Sequence, residues 1–317
     1  MIKLRLEPTL TTNLGFMKDK STKINTNLLI SIYIFVDDVC KSAEKHVKSK
    51  WLAASTTPAR RSFRKPALTE SEVATILIYY HYSGYKNFEY YYTSEVLHDL
   101  KSYFPKAPSY THFLELQKRV ALLMPFLLKV TCINAQKTEI YYIDSKKMPV
   151  CDNLRISSHK VFQDYAGRGK SSTGWFYGLK AHLVINNWGE IVQFSISSAS
   201  VADNNQALLK QLLGKLKGYC VGDKGYLTKL WEHFYEQGLK ILHKIKRNMK
   251  NKIMHREEKY YLAKRGVIES VNDILDSVFD LTHTRHRNPE NALSNIFAAL
   301  VAYQFYPDKP MVFFPKI

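Results

Sequence analysis

Near residue 136 of this 317-residue chain the spacing of apolar side chains changes from helical to alternating. A helical part must therefore be followed by a part organised around a sheet. Up to Thr131 the signals are helical. Thr69-Glu-Ser-Glu72 has the form of a capping box, and Val73, Ile76, Leu77 and Tyr80 follow it at helical spacing as far as Gly84. A second start falls at Ser109, after Phe104-Pro-Lys-Ala-Pro108, and leads through Phe113, Leu114, Leu116 and Val120.

After the change, Ile140 to Ile143 is a short β-branched and aromatic run that ends at Asp144. Leu179, Ala181, Leu183 and Ile185 alternate with Lys180, His182 and Val184. Asn186-Asn-Trp-Gly189 then turns the chain into Ile191 to Ser197, which predicts a hairpin. A leucine stripe predicts a helix from Ala202 to Leu216, and Tyr219 to Gly222 predicts a strand ending at Asp223. Trp231 to Gln237 reads as a helix and Lys240 to Ile245 as one more strand. A basic connector leads to a helix with Val267, Ile268, Val271, Ile274, Leu275 and Val278 on one face and Glu269 on the opposite, polar face. The last helix opens with Asn288-Pro289-Glu290 and is apolar nearly all round from Ile296 to Tyr303, so it should be buried.

From residue 138 onward the order is three strands, helix, strand, helix, strand, helix, helix. This is the ribonuclease-H-like order, an α/β fold with a mixed sheet. We expect a catalytic domain of that kind over 136–306, an all-helical DNA-binding domain over 26–135, a flexible tail over 1–25 and a C-terminal tail over 307–317. Met17 is a second candidate start. In this fold the first and fourth strands end at the same edge of the sheet and the next-to-last helix crosses beside them. Asp144, Asp223 and Glu269 fall on those three elements.

Charge narrows the partner. Lys and Arg outnumber Asp and Glu by 46 to 28, a net charge of +18, which favours a polyanion through counterion release. Nucleic acid comes first and an anionic membrane second, since no basic amphipathic helix stands apart from the expected core. The longest apolar run, Leu28 to Val36, is too short to span a bilayer. Cys40, Cys132, Cys151 and Cys220 form no CxxC pair, which argues against a zinc ribbon or disulfide framework and suits a reducing cytoplasm. His283 and His286 lack the companions a zinc site requires.

Phosphodiester transfer by two metals needs hard oxygen ligands gathered at one point, so that two Mg²⁺ about 4 Å apart activate the attacking oxygen and stabilise the leaving one. Singly, an Asp ending a strand is an ordinary turn residue and a Glu on a polar helix face is solvated. Together, in the correct topological slots, Asp144, Asp223 and Glu269 read as catalytic residues and metal ligands. Three carboxylates brought together repel one another unless cations are present.

The sequence resembles the transposases of the insertion sequence 982 family, within the DDE transposases. The likeness covers nearly the whole chain. It rests on Phe35-Val-Asp-Asp-Val-Cys40, Tyr82-Ser-Gly-Tyr-Lys-Asn-Phe88, Tyr103-Phe-Pro105, Tyr142-Ile-Asp-Ser145, Gly174-Trp-Phe-Tyr-Gly178, Gly222-Asp-Lys-Gly-Tyr226, Lys264-Arg-Gly-Val-Ile-Glu-Ser270 and Thr284-Arg-His-Arg-Asn-Pro289. The resemblance implies that Asp144, Asp223 and Glu269 are the D, D and E, that the cofactor is two Mg²⁺ with Mn²⁺ able to substitute, and that the substrate is double-stranded DNA. The DNA would be the element's terminal inverted repeats and the target, held by a homodimer on paired ends in the bacterial nucleoid. One departure is plain. Such transposases often carry a basic residue seven positions after the catalytic Glu, and here that position is Asp276.

For DNA contact the candidates are Arg168, Lys170, Trp175, Lys180, Lys224, Lys244, Lys246, Arg247, Lys250, Arg265, Arg285 and Arg287. The segment from Lys240 to Arg265 holds ten Lys or Arg against Glu257 and Glu258, a phosphate-binding surface or a solvated basic loop. Ala166-Gly-Arg-Gly-Lys-Ser-Ser-Thr-Gly174 is not a nucleotide loop, because a Walker A pattern needs Gly at 164 and Asp164 stands there. We read it as a loop able to touch DNA phosphates through Arg168 and Lys170. Trp175 is a candidate for stacking on an unpaired base, against the more ordinary core role of an aromatic that opens a strand. Ser109 to Arg119 is a candidate recognition helix. Two other functions stay open at this point, a hydrolytic nuclease of the same fold and a non-catalytic DNA-binding protein.

Overall fold

The computed structural model of the chain describes residues 25–54, 66–171, 174–226, 229–243, 254–282 and 288–313. The chain divides into two compact units: 1–128 with 278–280 and 285–305, and 129–277 with 281–284 and 306–317.

The first unit is helical. It contains α1 (Thr26–Ala54), α2 (Glu70–Tyr80), the single turn α3 (Phe88–Tyr91), a π-helical stretch Tyr92–Asp99, and α4 (Tyr110–Arg119). It also holds the last helix, α10 (Pro289–Phe305). The capping box forms as the sequence requires, with Glu72 N donating to Thr69 Oγ1 at 3.2 Å and Thr69 N donating to Glu72 Oε2 at 2.7 Å. Thr69→Ala should therefore cost about 1 kcal/mol in urea unfolding. A variant as stable as the parent would show that the cap contributes nothing. Asn288 caps α10 by accepting from Glu290 N at 2.8 Å, and Pro289 opens the helix. Nearly every residue of α2 and most of α10 are buried, which is why neither shows a polar stripe. Tyr82 Oη donates to Ala302 O at 2.6 Å and Gln117 Nε2 donates to Asn291 O at 3.2 Å, fixing the α10 backbone within this unit.

Helix α5 (Leu123–Asn134) leads into the second unit. Its strands are β1 (Ile140–Cys151), β2 (Gly167–Ser171), β3 (Gly174–Asn186), β4 (Ile191–Ser198), β5 (Gly218–Gly222) and β6 (Leu239–His243). They form one mixed sheet in which β3 pairs with β1 along one edge and with β2 and β4 along the other, and β1 continues through β5 to β6. The pairings of β3 are antiparallel, while β1–β5 and β5–β6 are parallel. Set aside β2, and the order β4-β3-β1-β5-β6 is the ribonuclease-H-like sheet. Helices α6 (Gln206–Leu213), α7 (Trp231–Glu236), α8 (Arg256–Ala263) and α9 (Gly266–Ser277) complete it. One face of the sheet buries Tyr141, Ile143 and Val184 against Leu208, Leu209, Leu212 and Leu213 of α6 and Phe234 of α7.

Four local expectations change. Strand β1 does not end at Asp144; it continues to Cys151, bonded to β3 throughout. Lys146 and Lys147 are tolerated in the strand because β3 supplies the ladder there. Gly167 to Ser171 is a strand, not a loop. Helix α6 is shorter than the leucine stripe, beginning only after Asn205, whose side chain accepts from Leu208 N. The basic connector contains α8, whose Glu258 is buried and ion-paired with Lys240.

Candidate active site

The parallel register sets the site. Tyr141 pairs with Cys220 and Tyr142 with Val221, so Asp144 and Asp223 each lie two residues beyond the last paired position of their strands. A Cβ on Gly222 would stand 3.0 Å from Ile143 Cγ2 and 3.2 Å from Tyr226 Cβ, so even a methyl group at this strand end would press on its neighbours. Beyond Gly222 the chain leaves the sheet in a tight turn, Tyr226 N donating to Asp223 O at 3.0 Å. Asp223 and Lys224 are exposed there.

Helix α9 packs on β1. Arg265, Glu269, Asn272 and Asp276 follow one another at intervals of four, three and four residues, which places them on one stripe of the helix. Asn272 Nδ2 donates to Asp144 Oδ2 at 3.0 Å. Lys146, two residues along β1 and on the same face as Asp144, pairs with Asp276 at 2.6 Å. Glu269 is 54% exposed and is ion-paired with Arg265.

Burial pushes the Asp144 carboxyl up to about 6. Its bond to the Ser145 backbone and the Arg265 guanidinium work against the rise, and Asp203 and Glu269 add to it. Asp203, just before α6, is a carboxylate that sequence reasoning missed. It accepts from Lys180 Nζ at 3.1 Å, and its Oδ2 would lie 3.7 Å from a Cβ on Gly225. Lys180 also donates to Val201 O at 3.0 Å and is only 11% exposed. Asn272 and Lys146 were missed as well. The stripe on α9 was the available signal for Asn272, because a buried amide on a helix facing an acidic strand needs a partner.

Of the other DNA-contact candidates, Arg168 and Lys170 project from β2 and are exposed, and Trp175, weighed between stacking on a base and a core role, is 64% exposed. Lys244, Lys246, Arg247, Lys250, Arg285 and Arg287 lie outside the described residues. Among the described residues no three His, Cys, Asp or Glu side chains are gathered closely enough to hold a metal ion as they stand, and no helix is long and apolar enough to cross a membrane.

Residues 134–289 match the family model of the transposase DDE domain. No curated protein matches the chain. Among solved structures the chain is similar to the cryo-EM structure of the piggyBac transposase synaptic complex with hairpin DNA, at 10% identity and a TM-score of 0.46, over 89% of this chain and 72% of that one.

Proposed function

We propose that the chain is the DNA transposase of an insertion sequence of the 982 family, binding the ends of its element and catalysing strand cleavage and then strand transfer. The observation that supports this reading is the parallel β1–β5 pairing, with Asp144 and Asp223 each two residues past its last pair, together with the electrostatic influence of Glu269 on Asp144. All three lie inside the segment that matches a transposase DDE domain.

The residues fit a divalent cation chemically. A largely buried carboxyl held near pKa 6, with two further acidic groups raising it, is a site that gains from added positive charge, and all-oxygen donors suit Mg²⁺. Asp144, Asp223 and Glu269 would hold two such ions, with Mn²⁺ as a substitute, and the ions would activate the attacking oxygen and stabilise the leaving one. The chain's own residues supply the frame. Asn272 orients Asp144 through its amide, Arg265 holds Glu269 until a phosphate competes for it, and Lys224 stands at the open end of β5. The helical unit reads the terminal repeats, and two copies act on paired ends in the nucleoid.

The test is cleavage of an end-containing duplex by the full chain with Mg²⁺, without it, and with EDTA followed by Mg²⁺. Asp223→Asn and Glu269→Gln should each abolish cleavage while binding of the duplex stays within about 3-fold. Normal cleavage by either variant removes that residue from the site, and cleavage unaffected by EDTA overturns the metal reading. Strand-transfer products from a pre-cleaved end separate a transposase from a nuclease. One observation favours a second reading, DNA binding without catalysis. Asp276 stands where such enzymes often carry a cation, and it ties down Lys146. Detectable Mg²⁺-dependent cleavage eliminates that reading.

A further inference from the structure

We propose that Trp175, at the far end of the β1–β3 ribbon, is a stacking platform for an unpaired nucleobase of the bound DNA. The inference rests on the DNA-transposase reading and adds a base-binding site to it.

The argument starts from exposure. Phe176, next in the strand, is buried, whereas Trp175 leaves 64% of its surface in solvent. Its backbone is nevertheless fixed: Trp175 pairs with Lys170 across β2–β3, and its carbonyl accepts from Asn153 Nδ2 at 2.9 Å. An indole held on a firm strand and left bare is a surface awaiting an apolar, planar partner.

The surroundings say which partner. Lys170 Nζ lies 5.8 Å from the centre of the indole ring, and Arg168, one alternation along β2, projects from the same side. The glycines of Gly167-Arg-Gly-Lys170 produce this. A Cβ at Gly167 would come within 2.3 Å of Ser198 Oγ, and one at Gly169 within 2.6 Å of Ala199 O. Glycine lets one side of β2 lie flat against the 198–200 turn while both cations point the other way. A π face flanked by two cations fits a base with its phosphates. A protein partner would need an acidic patch around an apolar centre, whereas the net charge of +18 on this chain favours nucleic acid.

Position ties the platform to the reaction. Along β3, residues 175, 177, 179, 181 and 183 share a face, and Leu183 is the antiparallel partner of Asp144. Trp175 therefore points to the same side of the ribbon as Asp144, eight residues further along and past Leu179, Ala181 and Leu183, which are buried. That is roughly 26 Å at ~3.3 Å per residue, or about eight nucleotides at ~3.4 Å each.

The test uses two fluorescently labelled duplexes of about 30 base pairs, identical except that one carries a single bulged nucleotide, titrated with the full chain and read by anisotropy. The parent protein should prefer the bulged duplex by about 10-fold. Trp175→Ala should abolish the preference and leave affinity for the paired duplex within about 2-fold. Trp175→Phe, which keeps a ring, should retain most of the preference. Equal affinity of the parent for both duplexes, or a preference that survives Trp175→Ala, overturns the platform and leaves the transposase reading standing. Failure to bind either duplex overturns both.

Discussion

Asp144→Asn should lose Mg²⁺-dependent strand cleavage by on the order of 10³-fold if Asp144 holds a metal ion as proposed, because losing such a ligand forfeits several kcal/mol of charge stabilisation. The same variant should be more stable than the parent at neutral pH. Burial holds the Asp144 carboxyl at about 6 against an ordinary value of 3.8. A folded-state pKa above the unfolded one means that the native protein resists ionisation. The penalty is absent below about pH 3.8, grows between 3.8 and 6, and is complete above 6. The gain in the variant should thus be on the order of 1–2 kcal/mol at pH 7, after screening at the exposed edge of the group, and should vanish below pH 4. An amide oxygen still accepts from Asn272 Nδ2, so the contact to α9 survives the change. Urea unfolding at the two pH values checks the sign. A variant less stable than the parent at pH 7 would show that Asp144 serves the fold rather than the chemistry.

Gly218→Ala should cost about 3 kcal/mol or more of folding stability, the largest loss expected from so small a change. Gly218 has φ +99°, outside the range open to an L residue, and a Cβ there would lie 2.1 Å from Glu139 O. Left-handed strain alone costs about 1–2 kcal/mol, and forcing the strand off a backbone carbonyl adds to it. Gly238 offers the control, since its φ is +85° and nothing stands within 4 Å of its Cβ. Gly238→Ala should therefore lose only the strain. Gly218 opens β5, and the next residue donates from its N to Glu139 O at 2.6 Å, so displacing it also shifts Asp223 relative to Asp144. Equal urea midpoints for the two variants would mean that β5 does not close on Glu139 as described.

Much of this fold was readable before any coordinates. The β3–β4 hairpin was legible because turn residues separated two alternating runs, and α9 because its apolar stripe kept a 3.6-residue period. The beginnings of α2 and α10 were legible because their caps are local chemistry. What escaped notice depended on tertiary neighbours. Strand β1 runs on past Asp144 through two lysines, which only the long partner β3 makes tolerable. Gly167 to Lys170 resembles a phosphate loop by composition and is a strand because the 198–200 turn lies against its glycines. Asp203 carries no pattern of its own, since its place beside Lys180 is fixed by where α6 begins. Asp144, Asp223 and Glu269 were singled out by topology, and the amide of Asn272 that bonds to the first of them was not.

The internal pairing of lysines has a consequence for how this protein responds to ionic strength. Lys146, Lys180 and Lys240 each already face a carboxylate, from Asp276, Asp203 and Glu258. The slope of affinity against salt counts only phosphates actually neutralised, roughly 0.9 per contact on a duplex. A lysine that must abandon an acidic neighbour before meeting a phosphate adds little to that slope. The sensitivity of any complex with a polyanion to added salt will thus fall short of what the bulk excess of positive charge suggests, and will report on exposed cations such as Arg168, Lys170 and Lys224.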